Sequence, residues 1–271
     1  MNIIIIANSH KFYTIRRLCE EIEALGHCAQ IIDPDALDST DKKVLENTII
    51  LNRCSGISYN DNDLDTLTKF TNSKISNAIE DTRIFRDKWL QYLFFIKNNL
   101  PTINTANLEA GEGPNFTQKY GYLIKPKRSN QTRGIIKSPD LNFKINDKRY
   151  IIQPLLKKKN EYRVLIALGT VLGILKKSHD DPFELLNCER STLSFIPWLD
   201  ASAKLKELIH KILPYGPDFY GLDILEQESG HHLIIELNNV PGFEYFEKVS
   251  HVNVAQKYIS GLLSDFNDLS S

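Results

Sequence analysis

The period of the hydrophobic pattern changes along the chain. Over the first part, short apolar runs alternate with helical stripes. "NIIIIA" predicts a strand, closed by Asn8 and Ser9. Ile15, Leu18, Cys19, Ile22 and Leu25 follow at helical spacing, and Gly26 ends that helix. "CAQIIDP" predicts a second strand, "NTIILN" a third, and "DLDTLTKF" a helix. Alternation of this kind predicts an α/β layer with parallel strands. A single helix is expected over 82–98, with Asp81 as its cap and Phe85, Trp89, Tyr92, Leu93 and Ile96 as its buried stripe. Lys88 falls on the flank of that stripe.

From about Tyr120 the period becomes two. "YLIKP", "RGIIK", "RYIIQPLL", "EYRVLIAL" and "TVLGILKK" predict strands, with a hairpin turn at Gly169-Thr170. The stretch 178–197 carries little order signal and reads as a loop. A helix over 201–213 leads into "YGLDILEQESGHHLIIELNNVPG", which predicts a hairpin turning at Ser229-Gly230. A last helix starts near Asn253.

Composition narrows the function. The chain has 271 residues, 42% of them hydrophobic, enough for two or three small domains. Its net charge of −1 provides no field for nucleic acid or an anionic membrane, so neither partner is expected. The densest basic run, "LLKKKNEYR", reads as a solvated turn. Four scattered cysteines form no C-x-x-C pair, which argues against a disulfide framework or a zinc site. "MNIIIIANSH" lacks the basic segment of a signal peptide, and no run approaches a membrane span. A reducing, cytoplasmic location is expected. No G-x-G-x-x-G follows the first strand, so the dinucleotide phosphate loop is missing.

The final hairpin carries the candidate chemistry. With its turn at Ser229-Gly230, Asp223 faces Glu236 and Gly221 faces Asn238 across the ladder. Alternation then puts Asp223, Glu236 and Asn238 on one face. Leu222 with Leu237, and Ile224 with Ile235, form the other. Like charges directly opposite repel, so a cation is required. Oxygen ligands of this kind suit Mg²⁺, often with substrate phosphates. The alternative is a sheet face with all three groups in water. Lys88 and Lys125 could serve phosphates, or be ordinary boundary lysines.

Taken in order, these segments resemble the ATP-grasp superfamily, and within it the RimK-type amide ligases. "FYTIRRLCEEIEALGH" with "IIDP" is similar to that group's N-terminal signature. "RDKWLQYLFFIKNNLPTINT", "YLIKP", "YIIQPLL", "EYRVLIALGTVLGILKK", "NCER" and "GLDIL…IIELNNVPG" resemble its later motifs, in family order. The resemblance implies a mixed α/β ATP-grasp fold. Its parts would be an N-terminal α/β (pre-ATP-grasp) domain (1–80), a linker helix with a small central subdomain (81–155), and a C-terminal antiparallel-sheet subdomain (156–271).

It also implies roles. Lys88 and Lys125 would bind ATP phosphates, Gln153, Pro154 and Leu155 the adenine, and Glu161 the ribose. Asp223, Glu236 and Asn238 would hold two Mg²⁺ ions, or Mn²⁺ in their place. Arg163 and Arg190 would bind the substrate carboxylate or the transferring phosphate, with Asn187 assisting from the same loop. The implied activity is ADP-forming ligation of a carboxylate to an amine through an acyl phosphate. The substrate would be an amino acid, peptide or carrier protein, and the enzyme a possible homo-oligomer. A nucleotide-binding module without ligase activity is the alternative. Two departures from the family pattern motivate it. The loop "PKRSNQTRGIIK" keeps only Gly134 of several expected glycines, leaving Arg128, Ser129, Thr132 and Arg133 as substitutes. The central subdomain is also short.

Overall fold

The computed structural model describes all residues except 41, 46, 55–64, 68–72, 109–115, 117–118, 130–131, 141–147, 186–190 and 271. Three sheets succeed one another along the chain. The first contains β1 (Asn2–Ile6), β2 (Cys28–Ile32), β3 (Ile49–Asn52) and β4 (Lys74–Ser76), all parallel, in the order β2-β1-β3-β4. The isoleucine run of β1 suits a strand covered on both sides. Ile3 and Ile5 pack toward α1 (Tyr13–Ala24), while Ile4 and Ile6 pack with Ile32, Leu37 and Ile50. The third strand and the first helix lie where the sequence puts them. β4, only three residues long, is unforeseen. A short α2 (Lys42–Leu45) lies between β2 and β3. Most of "DLDTLTKF" lies outside the described residues.

The helix expected over 82–98 is two helices, α3 (Ile79–Phe85) and α4 (Lys88–Lys97). Asp87 makes the break. Its Oδ1 accepts from the backbone N–H groups of Trp89 (2.9 Å) and Leu90 (3.2 Å), capping α4. Asp81 instead lies within the first turn of α3. The break rephases the stripe. Gln91 and Phe95 are the buried positions of α4, whereas Leu93 and Ile96 face solvent. Gln91 is buried because its amide donates to Phe85 O (2.6 Å) and accepts from Leu237 N (2.9 Å).

The central sheet is antiparallel: β5 (Ala106–Asn107), β6 (Tyr122–Pro126), β7 (Ile136–Ser138) and β8 (Tyr150–Pro154), ordered β5-β8-β6-β7. The C-terminal sheet is also antiparallel. It contains β9 (Lys158–Ala167), β10 (Thr170–Ser178), β11 (Thr192–Ile196), β12 (Phe219–Gln227) and β13 (His232–Asn238), ordered β11-β10-β9-β12-β13. β11 falls inside the stretch read as a loop. Its exposed edge position leaves little hydrophobic signal. The lysine run read as a solvated turn instead leads into β9, and Lys158 is nearly buried there.

α5 (Ala203–Ile212) packs Leu205, Leu208, Ile209 and Ile212 against the outer face of this sheet. α6 (Glu244–Ser250) and α7 (Val254–Ser270) then return to the first sheet, where Val254, Tyr258 and Leu262 share a core with α1. A polar clamp secures that return. Glu247 accepts from Tyr13 Oη (2.7 Å) and Arg17 Nε (3.4 Å), and its other oxygen accepts from Val254 N (2.8 Å). Tyr13 and Arg17 belong to the N-terminal signature, so that signature joins the two ends of the chain. Among the described residues no helix is long and apolar enough to cross a membrane.

Candidate active site

A cavity of about 110 Å³ opens between the central and C-terminal sheets. β12 and β13 form one wall. Their register pairs Gly221 with Asn238, Leu222 with Leu237, and Asp223 with Glu236, as the sequence predicts. Beyond Asp223 a bulge shifts the pairing, and Ile224 meets Ile234 rather than Ile235. The extra residue, Ile235, turns its side chain into the cavity beside Glu236.

The charge on this face is compensated from within the protein. Arg163 lies opposite Asp223 on β9 and grips it with two bonds of 2.6 Å, Nε to Oδ1 and Nη2 to Oδ2. Gly221 makes room for it, since a Cβ there would lie 2.9 Å from Arg163 Nη1. Lys177, on β10, is 3.4 Å from Asp223 Oδ1 and in direct contact with Glu161. Lys158 donates to Glu161 at 3.1 Å. Burial alone would raise the pKa of Asp223, but Arg163 and Lys177 hold it below the usual carboxylate range. Burial likewise works against the Lys177 ammonium, yet Asp223 and Glu161 keep its pKa raised. Lys88, at the start of α4, reaches Glu236 at 3.7 Å and donates to Ser129 O at 2.8 Å.

Lys125 projects from β6 into the same cavity and is 7% exposed. Burial lowers its pKa to about 8, with Glu236 opposing and Lys88 reinforcing the shift. Gln153 shares its face of the central sheet. Its Nε2 donates to Thr105 Oγ1 (2.9 Å), and its Oε1 is buried without a partner. The apolar end of the cavity is lined by Leu123, Pro154, Leu155, Phe183, Leu185 and Leu225. The N–H of Leu155 donates to Gly121 O at 2.8 Å, and Pro154 has none to offer. These two residues therefore offer the cavity apolar surface and no free backbone N–H. Of the glycine-poor loop, Ser129 and Thr132 line the cavity, Arg128 turns to Asp87 at 3.7 Å, and Arg133 is exposed.

The structure thus brings together Lys88, Lys125, Glu161, Asp223 and Glu236, with Arg163 on Asp223. Asn238 continues the same face, and its Oδ1 accepts from Val240 N at 3.0 Å. Asn187 and Arg190 lie outside the described residues. Lys158 and Lys177 escaped the sequence reading. Lys177 stands opposite Glu161 on the face that also carries Arg163, and the register shift between Val171 and Gly173 keeps that pairing out of the sequence pattern. Two carboxylates and a carboxamide, all oxygen donors, fit Mg²⁺. Among the described residues no three His, Cys, Asp or Glu side chains converge, so further ligands would come from Asn238, a substrate or water.

Comparison with known proteins agrees with this architecture. Residues 117–262 match the model of the RimK-like ATP-grasp domain. A glutamate–LysW ligase, ArgX, of Sulfurisphaera tokodaii is 26% identical over 134 residues, which cover 44% of this chain and 43% of that protein. The match therefore spans less than half of that relative's length. Among solved structures, D-cycloserine synthetase DcsG superposes with a TM-score of 0.72 at 13% identity, over 97% of this chain and 99% of that one. The ATP-grasp ligase PsnB, complexed with a minimal precursor, Mg and ADP, gives 0.68 at 16% identity, over 97% of each. With more than half of its length matched by the family model, and the fold and cleft arranged as described, the chain belongs to the RimK-like ATP-grasp family.

Proposed function

We propose that the protein is an ATP- and Mg²⁺-dependent ligase that joins a carboxylate to an amine and releases ADP. The observation that carries this reading is the cavity itself: an apolar end lined by Leu123, Pro154, Leu155 and Phe183 leads to a polar end that gathers Lys88, Lys125, Asp223 and Glu236. In this reading the substrate carboxylate attacks the γ-phosphate and forms an acyl phosphate, and the amine then displaces phosphate from the acyl carbon. Chemistry of this kind needs positioning and charge neutralisation more than a protein nucleophile. Leu123, Pro154, Leu155 and Phe183 enclose the adenine, and Lys88 and Lys125 hold the phosphates. Asp223, Glu236 and Asn238 would hold two Mg²⁺ ions, which offset charge on the phosphoryl oxygens when bound. Mn²⁺ is the alternative ion for the same oxygen ligands. Glu161, already paired with Lys158 and Lys177, would meet the ribose only at the edge of that pair.

The three sheets support a division into 1–80, 81–155 and 156–271, each range holding one sheet. The relatives named above are a ligase of glutamate to LysW, a ligase complexed with a precursor and a D-cycloserine synthetase, and an amino acid, peptide or carrier protein is the proposed substrate class. The test is an assay of ADP and product mass with Mg²⁺ and a panel of amino acids and short peptides. ADP release should require both an acid and an amine, and Glu236→Ala should lower it about 10²-fold or more. Nucleotide binding with ADP release indifferent to every substrate would instead identify a binding module.

A further inference from the structure

The two metal-ligand carboxylates of the proposed site are already bound by protein cations. Arg163 engages both oxygens of Asp223 at 2.6 Å, and Lys88 lies 3.7 Å from Glu236. Among the described residues of this face, Lys88, Lys125, Lys158, Arg163 and Lys177 outnumber Glu161, Asp223 and Glu236 by two positive charges. A lone divalent cation must enter that excess of positive charge and also displace a half-buried guanidinium held to Asp223 by two bonds. A polyphosphate carrying the same ion brings more negative charge than the ion removes, and gives the displaced cations new acceptors.

We infer that Arg163 is a specificity-determining residue that makes the seat select a metal–nucleotide complex and reject the metal ion alone. The inference rests on the proposed nucleotide site. It adds that Arg163 and the ion compete for Asp223, and that Arg163 is released toward the phosphates only when the complex arrives. Gly221 is what lets the guanidinium lie against the strand at Asp223, since a Cβ there would stand 2.9 Å from Arg163 Nη1.

The experiment uses the whole chain and Mn²⁺ as the probe. Bound Mn²⁺ is followed by electron paramagnetic resonance, first alone and then with a non-hydrolysable ATP analogue. The wild-type protein should bind Mn²⁺ weakly alone and tightly with the analogue. Arg163→Gln, which keeps hydrogen-bonding capacity but removes the charge, should tighten binding of Mn²⁺ alone by about tenfold or more. Asp223→Asn added to that variant should abolish the gain. Arg163→Lys serves as a second variant if Gln disturbs folding. It keeps the charge without the two-pronged grip and should give an intermediate gain. Binding of Mn²⁺ alone that is equal in the wild-type protein and both variants would overturn the inference. No amide product is measured, so a failure of the ligase reading is seen separately. If the analogue also fails to recruit Mn²⁺ to the wild-type protein, the nucleotide site itself is refuted.

Discussion

Lys125 is an ammonium with little water around it, and its titration has two consequences. Its pKa lies near 8, below the ordinary 10.5, because burial disfavours the charge. Between these values the unfolded chain binds more protons than the folded one. Stability from this group therefore rises with pH across that window, and below about 8 the full cost of burying the charge is present. Nucleotide binding should run the other way. Phosphates need the protonated lysine, so affinity for an ATP analogue, measured by calorimetry, should fall as pH rises through about 8. Lys125→Arg should remove that fall, since a guanidinium stays charged, while Lys125→Met should bind weakly at every pH. Unchanged affinity in Lys125→Met would make the residue purely structural. At this scale the sequence was half legible. The hairpin trio could be read because alternation alone places Asp223, Glu236 and Asn238 together. Lys177 could not, because "LKKS" offers two lysines and only the pairing with β9 says which one is buried against Glu161.

Elements were legible where one periodicity ran unbroken, and obscure where a side chain interrupted it. α1 and the paired start of the last hairpin follow their patterns. The bulge after Asp223 does not, because alternation contains no record of an inserted residue, and Ile235 thereby moves from the expected core to the cavity. The break between α3 and α4 is hidden for a related reason. Asp87 ends one helix and caps the next through two backbone bonds, a local competition that a stripe of apolar residues cannot reveal. That cap bears on the proposed phosphate site, since the residue it positions next is Lys88. Asp87→Ala should cost about 1 kcal/mol of stability in urea unfolding. It should also weaken binding of the ATP analogue, as Lys88 loses its fixed start on α4. Asp87→Asn, which keeps the accepting oxygen, should restore most of both. A stability loss with nucleotide affinity untouched would mean that Lys88 is held by its bond to Ser129 O and not by the cap.

Across the whole molecule, the first sheet and the β12–β13 hairpin are joined by buried amides. Asn77 follows β4 with a left-handed backbone (φ 62°) and is fully buried. Its Nδ2 donates to Phe219 O at 2.9 Å and to Asn239 O, and its Oδ1 accepts from Phe219 N at 2.8 Å. Asn52 donates to Asn77 O (3.3 Å) and to Thr82 Oγ1 (3.1 Å), and Asn239 donates to the same hydroxyl at 2.9 Å. Both ends of the β12–β13 hairpin are thus held by one side chain from beyond β4, next to the proposed ligand Asn238. Such a network specifies geometry only while every member is satisfied. Asn77→Ala strands a buried N–H and two carbonyls and leaves alanine in a conformation it disfavours, so the loss should be about 2–4 kcal/mol. Asn77→Gly separates the two causes: it relieves the backbone but not the orphaned groups, and should recover only about 1 kcal/mol. If the amides position Asn238, both variants should also need more Mn²⁺ for half-maximal binding of the ATP analogue, by a similar factor. An unchanged Mn²⁺ requirement in a folded but destabilised variant would confine Asn77 to holding the first sheet against the hairpin.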